Sequence, residues 1–368
     1  MDSRTQKMAE VIVNYSLAVK PGEVCLFRGT SPLAQPLMRA LTAEALKAGG
    51  VPFNYVHMSG EGVVLLEHGA VAQIERLNPM LKLMYETASC IVRIEAEEET
   101  GALVAFPPEK QQAYMRSKGG IINIQMDREA ARTLRRCTTL YPTPAYARDA
   151  GMSETDYENF VFGACMVAEP DPLRFWHELS AMQDKLITWL RGKKAFHVQG
   201  KNIDLTFSAE GRLWENANGK FNFPDGEIFT GPVENSVNGW VRFTYPAIYN
   251  GNIVRGAELH FKDGVVVKAT AAENESFLLA TLDTDEGARR LGEFAIGTNR
   301  GVNRFTGQIL FDEKIQGTVH MALGKAYAST GAVNHSAIHW DMICDMRDGG
   351  VIRVDGETFY ENGEFLVL

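Results

Sequence analysis

The first half of the chain alternates short apolar runs with longer amphipathic stretches. The apolar runs predict four strands, at 23–29, 51–58, 89–96 and 119–127. The stretches between and after them have helical spacing, as in 32–50, which ends in a Gly-Gly pair, and in 127–137. Because strands that alternate with helices form parallel sheets covered on both faces, this half predicts an α/β domain with a mostly parallel sheet.

Two further helices follow, and then the pattern changes. Residues 152–165 begin with possible N-caps at Ser153 and Thr155, and 169–194 carry Pro172 in the first turn. From about residue 194, short strands with Asn-Gly or Asp-Gly turns indicate hairpins at 250–251, 263–264 and 362–363, with one helix predicted at 284–292. We therefore predict an α/β domain over 1–193 and a mixed α+β domain with a largely antiparallel β core over 194–368.

Composition and charge narrow the possible partners. Of the 368 residues, 45% are hydrophobic and 23% are charged, which is the balance of a folded globular protein. The net charge of −9 argues against nucleic acid or an anionic membrane as a partner, and no apolar run reaches the ~18 residues of a membrane span.

Five scattered cysteines and a start without a secretory pattern predict reduced thiols and a cytoplasmic protein. The first strand is followed by RGTSPLAQ, without a glycine-rich phosphate motif, so no nucleotide is expected.

Histidines in two apolar segments of the second half are candidate metal ligands. On a strand, His339 and Asp341 of HWD point to one face while Trp340 points to the other. His320 alternates with apolar residues in GTVHMALGKAY and has small residues beside it, which leaves room around the imidazole. Each histidine could equally be a structural residue that hydrogen-bonds within a half-buried sheet.

Carboxylates stand in similar surroundings. Glu227 precedes an apolar pair, and Glu293 begins a short apolar strand. A charge that enters a core has to be paired, protonated or bound to metal. Asp312 and Glu313 follow another apolar run, although a solvated turn explains them equally well. Together with the histidines, these residues form the oxygen-rich ligand set that suits a pair of hard or borderline divalent ions with a bridging carboxylate and water.

Four blocks of the second half resemble, in order and spacing, the signature blocks of the aminopeptidase T family of dinuclear metallo-aminopeptidases. They are DGEIFTGPVENSVNG, DEGARRLGEFAIGTNRG, LFDEKIQGTVHMALGKAY and NHSAIHWDM. The resemblance implies hydrolysis of the N-terminal peptide bond of peptides with a free N-terminus. It further implies two divalent ions (zinc, cobalt, manganese or magnesium) with a bridging water or hydroxide, and a homodimer.

By position, the resemblance also implies roles for individual residues. The implied metal ligands are Glu227, Glu293, Glu313, His320, His339 and Asp341. Glu293 is the candidate bridging carboxylate, and Glu313 is a ligand or a catalytic base. Tyr327 is implied as a catalytic residue that hydrogen-bonds the tetrahedral intermediate. His335 falls at a variable position of the N-x-S-x-x-H-x-D pattern and is not expected to be a ligand.

The sequence departs from the family pattern at two places, and two other hypotheses also stay open. Gly226 stands where the family commonly has the first of two glutamates, and the spacing from Glu313 to His320 is two residues longer than expected. One alternative is a ring-cleaving dioxygenase of the dihydroxypyridine type, with one ferrous ion on His320, His339 and Asp341. Such a site would need neither Glu227 nor Glu293. The other alternative is a metal-stabilised binding protein that has lost catalysis.

Overall fold

The computed structural model describes residues 2–368. Its strands, in chain order, are β1 (Val24–Gly29), β2 (Val51–Val56), β3 (Cys90–Glu95), β4 (Arg135–Leu140), β5 (Ala195–Gly200), β6 (Ile203–Ser208), β7 (Glu215–Ala217), β8 (Asn222–Phe223), β9 (Glu227–Thr230), β10 (Asn238–Arg242), β11 (Ala247–Tyr249), β12 (Asn252–Val254), β13 (Glu258–Lys262), β14 (Val265–Thr270), β15 (Leu291–Gly297), β16 (Thr318–Gly324), β17 (His339–Asp345), β18 (Val351–Val354), β19 (Glu357–Glu361) and β20 (Glu364–Phe365).

The helices cluster in the first half. They are α1 (Ser3–Val11), α2 (Gln35–Lys47), α3 (Glu61–His68), α4 (Val71–Ile74), α5 (Pro79–Thr87), α6 (Pro108–Ala130), α7 (Pro144–Asp149), α8 (Glu154–Ala164), α9 (Pro172–Leu190), α10 (Glu275–Leu282) and α11 (Ile309–Asp312). Within 2–368, no helix combines the length and the apolar character that crossing a membrane requires.

One compact unit comprises the chain up to Trp176 together with Gly219–Pro224. Its sheet has five strands in the order β2-β1-β3-β4-β8, and every neighbouring pair is parallel. Consecutive buried residues in β1 and β3 reflect burial on both faces of a parallel sheet. The predicted α/β domain with a parallel sheet is confirmed, as is the N-cap of α8, where the Ser153 hydroxyl accepts a hydrogen bond from the Asp156 amide.

The predicted fourth strand at 119–127 is wrong, because these residues lie inside α6. Ile121 is buried and Ile124 partly buried in one apolar cluster, whereas Ile122 is exposed, so only one helical face of the apolar run is covered. The helix predicted over 127–137 is right only at its start, because α6 ends at Ala130 and the actual fourth strand, β4, begins at Arg135. Two arginines at the start of β4 make it unlike an apolar strand in sequence. Both are accommodated by ion pairs, because Arg135 pairs with Glu23 and Arg136 Nε lies 2.8 Å from Glu129.

The other unit comprises His177–Asn218 and Asp225–Leu368. An eight-stranded antiparallel sheet has the order β14-β13-β10-β6-β5-β18-β19-β20, and a five-stranded one has the order β17-β16-β15-β9-β7. Their apolar faces share one core, in which the rings of Phe207 from β6 and Phe294 from β15 lie 4.8 Å apart. The mixed α+β architecture with an antiparallel core is confirmed. The boundary between residues 193 and 194 stays a prediction.

Turn chemistry placed the hairpins correctly, but the helix predicted at 284–292 is wrong. Hairpins β11–β12, β13–β14 and β19–β20 enclose the three predicted turns. Residues 284–290 instead form turns between α10 and β15. Asp285 accepts hydrogen bonds from the Ser336 hydroxyl and the Ala337 amide, and a Cβ on Gly287 would lie 1.9 Å from the His335 carbonyl oxygen. Close docking of a distant loop, rather than local propensity, therefore fixes this segment.

Candidate metal centre

The antiparallel sheet with the order β17-β16-β15-β9-β7 has two faces that differ in chemistry. One face contributes to the apolar core through Ile228, Phe294, Ile296, Val319, Met321, Leu323, Trp340 and Met342. The other face carries the polar residues that the sequence singled out. These are Glu227 on β9, Glu293 on β15, His320 on β16, and His339 and Asp341 on β17. Period-two alternation on neighbouring strands is what brings them together.

Strand register leaves room between these side chains. Ala322 of β16 pairs with Glu293 on one side and with Asp341 on the other, so a methyl group separates two carboxylates. A β-bulge at Gly292 sends Leu291 to the core face and Glu293 to the polar face. A Cβ on Gly292 would lie 2.5 Å from the carbonyl oxygens of Gly324 and Lys325, so this bulge needs glycine.

Glu293 lies at the centre of the polar face. Its Oε1 lies 3.7 Å from His320 Nε2 and its Oε2 lies 3.3 Å from His339 Nε2. Burial alone would raise the pKa of Glu293, but the two imidazoles outweigh burial and lower this pKa to about 2. Glu293 is therefore an anion near neutral pH.

His320 and Glu227 form the closed side of the cluster. The His320 side chain is fully buried, and its Nε2 lies 3.2 Å from Glu227 Oε2. Burial would lower the pKa of His320, but Glu227 and Glu293 outweigh it and raise the pKa to about 9. Burial raises the pKa of Glu227 to about 8, against the opposing charges of Lys314 and His320.

His339 and Asp341 form the more open side, with side chains 25% and 12% exposed. His339 Nδ1 lies 2.8 Å from the Lys325 carbonyl oxygen, so Nδ1 donates there and Nε2 faces the cluster. Asp341 Oδ1 lies 3.6 Å from that Nε2. Burial raises the pKa of Asp341 to about 6, although His339 opposes this shift.

Lys314 is a residue of this cluster that the sequence analysis missed. Its Nζ lies 2.5 Å from Glu227 Oε1, 2.6 Å from Glu313 Oε1 and 3.4 Å from Asp225 Oδ1, and its side chain is 1% exposed. Burial would lower the pKa of Lys314, but the surrounding carboxylates raise it well above its usual value. The available signal was a lysine between the apolar residues Phe311 and Ile315, directly after two acids.

Glu313 joins the cluster, whereas Asp312 turns away from it. A Glu313 oxygen lies within 4.8 Å of ligand atoms on His320 and Asp341. The Asp312 side chain is buried elsewhere and accepts hydrogen bonds from the amide and the hydroxyl of Thr306. The two adjacent acids thus have different surroundings. The solvated turn, which the sequence offered as an explanation for both, describes neither of them.

Tyr327 borders the open side, and His335 lies outside the cluster. The Tyr327 ring lies 5.1 Å from the His339 ring in an edge-on contact and 5.3 Å from the ring of Phe229. Desolvation of its hydroxyl and the carboxylates of Glu293 and Asp341 raise the pKa of Tyr327, so the phenol keeps its proton. His335 is exposed in the loop before β17 and belongs to none of the ligand groups.

The backbone explains the absence of a side chain at residue 226. Gly226 has φ +127°, a region that residues with a Cβ rarely adopt. A Cβ there would also lie 2.8 Å from Asn299 Cβ. The residue before Glu227 is therefore excluded from the cluster by local geometry.

The cluster fits a divalent cation on the chemistry of its donors. Ligand atoms lie within 4.8 Å of one another in three overlapping groups: Glu227, Glu293 and His320; Glu293, His339 and Asp341; and Glu313, His320 and Asp341. Four buried atoms of these residues make no hydrogen bond of good geometry, namely Glu227 Oε2, both His320 nitrogens and Asp341 Oδ1, although Glu227 Oε2 and His320 Nε2 face each other at 3.2 Å. Buried polar atoms are normally satisfied, so convergent unsatisfied acceptors favour a bound ion.

Comparison with known proteins agrees with this chemistry. The chain is 28% identical to Aminopeptidase 2 of Geobacillus stearothermophilus, over 97% of this chain and 94% of that one. It is 29% identical to Aminopeptidase T of Thermus aquaticus, over 89% of this chain and 86% of the relative.

Solved structures share the fold. Wild-type AmpT from Thermus thermophilus superposes with a TM-score of 0.85 at 22% identity, and 99% of each chain is covered. A 2,5-dihydroxypyridine dioxygenase from Pseudomonas putida KT2440 has a TM-score of 0.60 at 12% identity, covering 100% of this chain and 98% of that one. A family profile described as thermophilic metalloprotease (M29) matches residues 1–365. The chain therefore belongs to the thermophilic metalloprotease (M29) family and, with it, to the metal-dependent hydrolases.

Proposed function

We propose that this protein is a metal-dependent aminopeptidase that hydrolyses the N-terminal bond of peptides. The observation that carries the proposal is the convergence of Glu293, His339 and Asp341, with His320 and Glu227 beside them, on one polar sheet face. Relatives named aminopeptidases that align over most of both chains support this choice among metal-dependent hydrolyses.

Tyr327 and Glu313 are the residues to which we assign roles in the reaction besides metal binding. When bound, a divalent ion supplies a Lewis acid for the scissile carbonyl and lowers the pKa of a water. Tyr327 keeps its phenol proton at the open side and donates it as a hydrogen bond to the carbonyl oxygen as negative charge develops there. Glu313 is 15% exposed, is held by Lys314 and lies near Asp341, so its carboxylate accepts a proton from water and passes it to the leaving amine.

Selectivity for the chain end follows from the charge of the cluster. Glu293, Glu313 and Asp341 surround the place where a peptide would enter beside His339. A protonated α-amine is attracted by such carboxylates, whereas an acylated amine carries no charge. The position of the amine then limits cleavage to the first peptide bond.

The remaining predictions concern the ion and the assembly. The resemblance predicts two ions of zinc, cobalt, manganese or magnesium, and the three overlapping ligand groups are compatible with one ion or two. A homodimer and a cytoplasmic location also stay predictions, of which light scattering of the purified protein tests the first. Five buried free cysteines are in keeping with a reducing compartment.

The activity is tested with matched substrates. Purified protein is reconstituted with each of the four ions and incubated with aminoacyl anilides and with the same compounds N-acetylated. We expect chelator-sensitive release from the free amines alone. His339→Ala should abolish this release, and His335→Ala, a change of the same kind in the exposed loop, should leave it intact.

Two results would contradict the proposal. Oxygen uptake on dihydroxypyridines with ferrous ion, together with no peptide hydrolysis by any reconstituted form, would favour the dioxygenase alternative. A full metal complement with neither activity would favour the metal-stabilised binding protein.

Tyr327→Phe tests the predicted hydrogen bond to the carbonyl oxygen. Loss of one donor to a developing oxyanion costs on the order of 10²-fold in kcat, so a decrease of that size is expected with KM nearly unchanged. Tyr245→Phe is the matched control, because the Tyr245 hydroxyl bonds to Arg347 and Asp345 away from the cluster. Metal content should be the same in both variants, and a loss of metal from Tyr327→Phe would assign this residue to binding instead.

Metal affinity should rise with pH. Burial would lower the pKa of His339, but Asp341 and Glu293 outweigh it and raise the pKa to about 10 in the metal-free protein. An ion bound through His339 Nε2 must displace a proton, so affinity should fall about tenfold for each unit of pH below about 9. The decrease should steepen below about pH 6, where Asp341 also takes up a proton. Titration calorimetry in two buffers of different protonation enthalpy measures the proton released, and equal heats in both buffers would contradict this assignment.

A further inference from the structure

We infer that the Lys314 ammonium group takes the place of a second metal ion, so that the chain binds one divalent ion, at Glu293, His339 and Asp341. This inference rests on the metal site of the proposed function, and it differs from the two ions that the resemblance implies. It assigns to a buried lysine the role of a permanent cation inside the cluster.

The surroundings of Lys314 are those of a coordinated cation. Its ammonium group has three N–H donors and three carboxylate neighbours, on Glu227, Glu313 and Asp225, at 2.5, 2.6 and 3.4 Å. The side chain is 1% exposed, so water does not share these contacts to any extent. Each carboxylate thus directs one oxygen toward the positive charge.

The same carboxylates occur in two of the three groups of ligand atoms. Glu227 belongs to one of these groups and Glu313 to another. An ion that used either of them would share a carboxylate with the ammonium, and two cations so close repel strongly where water is excluded. The second oxygen of Glu227 already faces the His320 imidazole at 3.2 Å. Each oxygen of Glu227 therefore already faces another side chain, Oε1 the Lys314 ammonium group and Oε2 the His320 imidazole.

The ion pairs of Lys314 involve none of Glu293, His339 and Asp341. His339 is oriented for binding by its bond to the Lys325 carbonyl oxygen, and Asp341 Oδ1 is buried without a hydrogen-bond partner. This group also lies on the more exposed side of the cluster, where a substrate can reach it. It offers one imidazole and two carboxylates to a single ion.

Backbone packing fixes Lys314 in this place. The Asn299 amide donates a hydrogen bond to the Lys314 carbonyl oxygen at 3.0 Å. A Cβ on Gly297 would lie 2.2 Å from the Ile315 carbonyl oxygen and 3.0 Å from the Lys314 carbonyl carbon. The two segments approach so closely because Gly297 has no side chain. These contacts hold the backbone of Lys314 against the end of β15, beside the strands that carry the cluster.

The test counts ions in the complete protein. Metal-free wild-type protein and variants are titrated with zinc by calorimetry, and the bound zinc is then measured by elemental analysis after gel filtration. We expect one equivalent per chain for wild type and two for Lys314→Ala, in which three carboxylates and His320 become available to an ion. Lys201→Ala removes a lysine from an exposed ion pair with Asp348 and should keep one equivalent.

Two further variants test the inference if Lys314→Ala does not fold. Glu227→Gln should retain the single zinc with an affinity within about threefold of wild type, whereas Asp341→Asn should lose it. Two equivalents in wild type, a single equivalent in folded Lys314→Ala, or loss of zinc from Glu227→Gln would each overturn the inference. One bound ion without peptide hydrolysis would leave the inference standing and overturn the proposed function, whereas two ions with hydrolysis would do the reverse. Failure of the wild-type protein to bind zinc or another divalent ion would overturn both.

Discussion

Replacing Glu293 by Gln should lower kcat/KM by about 10³-fold and release the bound ion. Both oxygens of Glu293 face imidazole nitrogens, and the residue belongs to two of the three groups of ligand atoms. Glutamine keeps the volume of the side chain and removes its charge. Because the ion is expected to supply several kcal/mol of transition-state stabilisation, its loss corresponds to roughly a thousandfold in rate.

The matched control for this variant is Glu286→Gln, an exposed glutamate a few residues earlier in the turn before β15. Steady-state kinetics on an aminoacyl anilide and elemental analysis of the protein give the two measurements. Full activity with full metal content in Glu293→Gln would remove Glu293 from the site. A normal metal content with low activity would instead assign Glu293 a role in the reaction without a role in binding.

Lys314→Met should lower the free energy of unfolding of the metal-free protein by about 3–5 kcal/mol. Methionine fills most of the space of the lysine side chain but removes the ammonium group that faces Glu227, Glu313 and Asp225. A buried ion pair adds little net stability compared with apolar residues, but removing one partner leaves buried charge uncompensated.

The size of this effect should depend on pH. Without the ammonium, the pKa of Glu227, already about 8, rises further, so the carboxylate takes up a proton as pH falls and the penalty shrinks. The destabilisation should therefore be larger at about pH 8 than at about pH 5. Urea unfolding at both pH values measures it, and Lys201→Met, which breaks an exposed ion pair, should stay within about 0.5 kcal/mol of wild type. Equal stability of Lys314→Met and wild type at about pH 8 would contradict the charge assigned to Lys314.

Local patterns were sufficient for the hairpins and for three of the four strands predicted in the first half. Asn-Gly and Asp-Gly turns require backbone conformations that few residues tolerate, so their positions are determined by short sequences. Apolar character alone was not sufficient at 119–127, which is helix instead of strand, nor at 135–137, which is strand instead of helix. Ile121 and Ile124 face a core along one side of α6, and the arginines of β4 are paired, so tertiary contacts decided both elements.

The candidate site was predictable where it follows the alternation of a strand. His339 and Asp341 share a face, as the spacing of two residues requires. The orientation of Glu293 was harder to predict from alternation alone. It depends on a β-bulge at Gly292, which is a property of the pairing between β15 and β16. Lys314 was not predictable, since a lysine after two acids usually belongs to a solvated turn.

Local sequence patterns were enough to predict the division into α/β and antiparallel β parts, the hairpins, and the residue types available for a metal. These features depend on periodicities of two and 3.6 residues and on turn preferences, all of which act over a few residues. Only the tertiary structure decided that Glu227 faces Lys314 while Glu293 faces both histidines. Those contacts join strands and turns far apart in the chain, and burial in their shared core is what makes each charge require a partner.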